Sequence, residues 1–142
     1  MKKVIFTSFT IIFIIVTIIN INYSLRQQYY KNIVKENKEF EQYKDKEIYG
    51  IELGTLINKA IDKNTKNKVE KDDKGVFISN EENSIQIEIY MQDNEQTYMM
   101  EVFYNAGMEQ FIQYYGNIKF KCSKIEYNKN TKRIEHMMFE QM

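Results

Sequence analysis

Proline is absent from the 142 residues, cysteine and histidine occur once each, and none of the five glycines comes before Gly50. Without Pro or an early Gly, nothing in the first 49 residues forces a helix to stop. The single Cys122 excludes a Cys-x-x-Cys centre and leaves no lipid-bearing cysteine after the N-terminal segment. Net charge is missing too: 20 Lys and Arg balance 20 Asp and Glu, with a pI near 6.6. A chain that wraps a polyanion needs clustered bases, so nucleic acid is not an expected partner. Gly-rich phosphate loops, His-Glu-x-x-His and Gly-x-Ser-x-Gly are also missing, and no carboxylate stands out as isolated in an apolar run. No enzyme, cofactor or metal is therefore expected.

One long apolar run is present. Val4 to Ile21 holds thirteen apolar side chains, interrupted only by Thr7, Ser8, Thr10, Thr17 and Asn20, and no charge falls between Lys3 and Arg26. As a helix these eighteen residues span about 27 Å, close to the hydrocarbon thickness of a bilayer. Ile, Val, Phe and Thr are poor helix formers in water, but in lipid every backbone amide must bond within the segment. The exit, Ile19-Asn20-Ile21-Asn22-Tyr23-Ser24, lacks the small pair that signal peptidase needs, so a retained signal anchor over residues 1–24 is expected. Its partner is membrane lipid through residues 4–21. Lys2, Lys3 and the amino terminus precede the run, which predicts a cytoplasmic N-terminus and a C-terminal part outside the cell membrane. That part carries 18 bases and 20 acids.

Beyond the run, Leu25, Tyr29, Tyr30, Ile33, Val34, Phe40 and Tyr43 recur at helical spacing and predict a juxtamembrane amphipathic helix over 25–46 that packs on its own domain. Residues 47–142 form the expected extracytoplasmic domain. Leu53, Leu56, Ile57, Ala60 and Ile61 predict a helix from about Ile51 to Lys63, ended by Asn64, Thr65 and Asn67. Val76 to Ile78 reads as a short strand, Ser84 to Met91 alternates strictly, and Thr97 to Tyr104 returns as a third strand. Met108, Phe111, Ile112 and Tyr115 predict a short helix capped by Asn105 and Gly116. Ile118, Phe120 and Cys122 alternate, but Ile125 and Tyr127 take the opposite parity, which a bulge near Ser123 reconciles. Arg133 to Phe139 is the last strand. The fold class is α+β: a transmembrane helix continuing as an amphipathic one, then an antiparallel sheet of about five strands packed on helices. Residues 70–112 hold ten acids and two bases, whereas 117–142 hold six bases and three acids, so cross-strand pairing between the two halves is expected.

Three patterns invite chemistry. Glu70 to Gly75 with Glu81 places Gly and Glu at the sixth and twelfth positions of a calcium-loop frame, but Glu70 replaces the leading Asp and Lys74 puts an ammonium where an oxygen ligand belongs; a solvated turn is expected. A three-residue loop Asn128–Asn130 would set Cys122 opposite His136, bringing a thiol beside a base; a buried hydrophobic thiol is the plainer expectation. Met99, Met100, Met137 and Met138 are expected to fill core gaps.

Together these readings predict a single-pass protein displaying a small noncatalytic binding or assembly domain on a bacterial cell envelope. Its partner is an unidentified protein or a second copy. The alternative is a fibre or secretion-apparatus subunit, since an apolar N-terminal helix leading through an amphipathic one to an antiparallel sheet resembles the layout of type IV pilins. Lys3 and Ser8 depart from the Gly or Ala and the Glu of that family's processing motif. A thiol enzyme using Cys122 and His136 is the third reading.

Overall fold

A computed structural model describes the backbone of residues 2–142 and the side chains from Ser8 onward. The chain forms two units, residues 1–35 and 36–142. The first belongs to the helix α1 (Lys2–Glu41), whose last turns lie in the second unit. The side chains of Lys2 to Thr7, on which the expected orientation and the start of the apolar run depend, lie outside the described residues.

The second unit continues with β1 (Glu47–Tyr49), α2 (Gly50–Lys66), β2 (Gln86–Met91), β3 (Gln96–Met99), α3 (Met100–Ala106), α4 (Met108–Tyr115), β4 (Lys119–Tyr127) and β5 (Ile134–Gln141). The sheet runs β1-β4-β5-β2-β3, and every adjacent pair is antiparallel except β2 and β5. Helix α2 packs against β1, β2 and β4. The alternation in β2 buries Ile87, Ile89 and Met91 under the helices. Phe120, Cys122, Met137 and Phe139 continue that face across β4 and β5, and Leu53, Leu56, Ile57 and Ala60 meet them from α2. Phe40 carries the end of α1 into the same core.

Helix α2 starts where the chain has no side chain to obstruct it. The Gly50 and Ile51 amides donate to the Ile118 and Gly116 carbonyls, and a Cβ on Gly50 would stand 2.0 Å from the Tyr115 carbonyl oxygen. The Glu52 carboxylate accepts the Tyr49 N–H at 3.1 Å, completing the helix entry. The helix outruns its expected end by three residues: Asn64 stays helical, and Asn67 is the C-cap.

Two expected strands are corrected. Val76 to Ile78 does not join the sheet; Phe77 makes one isolated bridge, to Lys71, and is buried. The third strand ends at Met99 and the chain turns helical at Met100: tertiary packing overrides the β preference of Val102 and Phe103, with Met100 buried in the core and the Glu101 carboxylate accepting the Phe77 amide at 3.1 Å. Strand β1 has only three residues, too short for a period to register. The bulge is where parity placed it: the β4–β5 register shifts between Cys122 and Lys124.

Candidate functional site

The apolar part of α1 is the first candidate. Its most apolar stretch has mean hydropathy 1.9, and none of that stretch is buried. Phe9 and Phe13 are each more than 70% exposed, an arrangement that water penalises along the whole run. Three polar side chains in and just after the run bond back to their own helix. Thr17 Oγ1 donates to the Phe13 carbonyl at 2.8 Å, Asn20 Nδ2 to Val16 at 2.8 Å, and Asn22 Nδ2 to Ile18 at 3.0 Å. Each of the three gives a donor to its own helix, a local bond that a hydrocarbon solvent favours. This helix is long and apolar enough to cross a membrane, and its place near the N-terminus suits an anchor or a signal sequence alike.

Cys122 and His136 are not brought together. The loop between β4 and β5 is longer than three residues, because Asn128 Oδ1 accepts the amides of Asn130 and Thr131 and the Asn128 amide donates to the Arg133 carbonyl. Tyr127 therefore pairs with Ile134, and Cys122 with Phe139. The thiol lies on the buried face, 1% exposed, and burial pushes it up to about 11. A thiol this protonated is a poor nucleophile at neutral pH. We expect Cys122 to resist an impermeant maleimide at pH 7 and to label fully once the protein is unfolded. The same shift sets a stability window. A proton held more tightly in the folded state stabilises it below the ordinary thiol value of 9.0, and this contribution disappears as the pH rises from about 9 toward about 11. Against a Cys122→Val variant, the difference in unfolding midpoint should stay constant below pH 9 and narrow above it.

His136 sits on the opposite face of the sheet, on the strand between β4 and β2. Its Nδ1 is 3.2 Å from Glu126 and its Nε2 3.5 Å from Glu88. A neutral imidazole donates to only one of two flanking carboxylates, whereas imidazolium donates to both. Lys124, 2.8 Å from Glu126, together with the nearby His136 holds that carboxyl below the usual range. The trio joins three strands, and it lacks a nucleophile.

Two features escaped the sequence reading. Glu101 is a carboxylate in an apolar run, Met99-Met100-Glu101-Val102-Phe103, and it is 1% exposed, with Oε2 lacking any hydrogen-bond partner. Asn64, expected to end a helix, is fully buried and holds both backbone polar groups of Ile85. The calcium-loop frame forms a turn: Asp72 Oδ1 accepts the amides of Lys74 and Val76, both at 2.9 Å. Among the described residues no group of three or more His, Cys, Asp and Glu is placed to hold a metal. Met100 and Met137 are buried, while Met99 and Met138 are half-buried.

The expected neutralisation between the two halves of the sheet is largely missing. Of the ten acids in residues 70–112, only Glu88 lies within ion-pair distance of a basic side chain among the described residues, the His136 imidazole at 3.5 Å. Lys119 and Lys124 pair instead with Glu47 and Glu126, from the edge strand β1 and from β4 itself. No family model matches the chain, and no curated protein or solved structure matches it either.

Proposed function

We infer that the chain is a single-pass membrane protein whose apolar helix is retained as an anchor, and that its α+β domain acts outside the cell by noncovalent binding in a bacterial envelope. The observation that carries this reading is the uncovered apolar stretch of α1, along and just beyond which Thr17, Asn20 and Asn22 each donate to a carbonyl of their own helix. Water would leave that surface without compensation, whereas lipid covers it. The noncatalytic part of the reading is supported by the raised, buried thiol and by its separation from the only histidine.

The experiment is fractionation of the full chain, followed by intact mass and by protease treatment of whole cells. An anchored chain stays in the pellet after alkaline carbonate, keeps the mass of the unprocessed protein, and loses a C-terminal epitope to external protease. Release by carbonate, or a chain starting near Ser24, overturns the anchor; a protected epitope overturns the orientation.

A further inference from the structure

Under the anchored reading, residues 9–21 of α1 lie in hydrocarbon, where a helix has either lipid or another membrane helix beside it. Between Phe9 and Ile21 the polar side chains are Thr10, Thr17 and Asn20. They are not spread around the helix. Thr10, Phe13, Thr17, Asn20 and Ser24 follow one another at alternating intervals of three and four residues, so that Thr10, Thr17 and Ser24 recur every seven. At about 100° per residue these five positions fall within an arc of about 80°. Ile11, Ile15 and Ile19 take the opposite side. All five side chains of the seam are exposed, Phe13 at 73%.

Lipid surrounds a lone helix evenly and gives no reason for such a seam. A second helix does. Small hydroxyl residues let two backbones approach closely, and a seven-residue repeat keeps one seam in contact while two helices wind left-handedly around each other. Asn20 adds an observation of another kind. One of its N–H groups goes to the Val16 carbonyl at 2.8 Å, while its second N–H and its carbonyl oxygen take no bond among the described residues. A donor and an acceptor left together at the border of the hydrocarbon are matched by the same two groups on another chain.

We propose that the Thr10–Thr17–Ser24 seam of α1 packs in parallel against the same seam of a second copy, with the two Asn20 side chains bonded to each other. This inference rests on the anchored reading and names the partner which that reading lacks. Depth selects the occupant. Anchorage gives every copy the same orientation, so a two-fold axis along the membrane normal sets each seam residue opposite its own twin. An amide carries both a donor and an acceptor and therefore pairs with an identical amide at the same depth. A single polar residue in such a seam also fixes the register and the number of strands. Phe13 packs between the threonines on either side of it. The contact uses one patch on both copies, so it closes as a dimer and leaves no seam free for a third.

The test uses two differently tagged full-length chains expressed together and oxidised mildly in their membranes. Each carries one added cysteine, Ser24→Cys on the seam or Asn22→Cys on the far side. Mixed-tag dimers should form from Ser24→Cys about tenfold more than from Asn22→Cys. Adding Asn20→Leu or Thr17→Ile to Ser24→Cys should lower that yield about tenfold and leave the chain in the carbonate pellet, whereas adding Ile15→Leu should change neither. Resistance of Cys122 to maleimide reports that each variant is folded. Equal yields at positions 22 and 24, no mixed-tag dimer from folded chains in the pellet, a cross-link to a chain of another mass in its place, or a yield unchanged by Asn20→Leu each overturns the proposal and leaves the anchor intact. Chains that appear in the carbonate supernatant overturn the anchored reading, and this proposal with it.

Discussion

Replacing Phe13 and Ile14 together with lysine is expected to release the chain from membranes. Both residues lie near the middle of the apolar run, and both are at least half exposed. A lysine at the centre of a membrane helix costs about 2.5–3.5 kcal/mol, and the lost Phe or Ile forfeits about 0.3–0.6 kcal/mol more. The pair therefore opposes insertion by roughly 6–8 kcal/mol. Lysines at Gln27 and Asn32, on the same helix but beyond the run, should leave the pellet fraction unchanged. Asn20→Leu should leave the chain in the pellet, because Asn20 lies one residue from the end of the run and already gives one of its two amide N–H groups to the Val16 carbonyl. Carbonate extraction of the three variants side by side makes the check. If the double lysine variant stays in the pellet, lipid is not what surrounds this helix.

What the sequence disclosed and what it concealed follow from the range of the interactions involved. Helices α2 and α4 were readable because a single covered face repeats at 3.6 residues: Leu53, Leu56, Ile57, Ala60 and Ile61 in one, Met108, Phe111 and Tyr115 in the other. The Ser123 bulge was readable for a similar reason, since an extra residue inverts the parity that burial imposes on β4. The parallel pairing of β2 with β5 was not, because nothing in either strand encodes the direction of a neighbour more than forty residues away. The switch from β3 to α3 was hidden because Val102 and Phe103 favour a strand locally, while the contacts made by this segment are distant in sequence, among them the Phe77 amide, 24 residues back, donating to Glu101. The pairing of Cys122 with His136 failed on loop length alone, since Asn128 organises a wider turn than three residues allow. As for the candidate surfaces, the charge asymmetry was visible in composition, but whether the acids would be neutralised internally required the register.

Asn64→Leu is expected to be the most damaging single substitution in the domain for which one contact is responsible. Residues 67–85 connect α2 to β2 without regular structure, and asparagines hold the ends of this connection. Asn80 Oδ1 accepts the amides of Glu82, Asn83 and Ser84, and Asn67 Nδ2 donates to the Asn83 carbonyl. Asn64 acts in the core: its Nδ2 donates to the Ile85 carbonyl at 2.7 Å and its Oδ1 accepts the Ile85 amide at 2.9 Å, one residue before β2 begins. Leucine matches the volume but leaves both Ile85 groups buried and unpaired, each worth about 1–3 kcal/mol, so a loss of about 4 kcal/mol is expected. Asn67→Ala removes a single bond from a half-buried residue and should cost only about 1 kcal/mol. Asn64→Asp separates hydrogen bonding from shape. Its carboxylate still accepts from the Ile85 amide, but must be protonated to donate to the Ile85 carbonyl, so this variant should gain stability as the pH falls, while Asn64→Leu should not. Urea unfolding of the full chain in detergent, followed by tyrosine fluorescence and by the exposure of Cys122 to maleimide, measures all three. Equal stability of Asn64→Leu and the parent would mean that β2 is positioned by its apolar side chains alone.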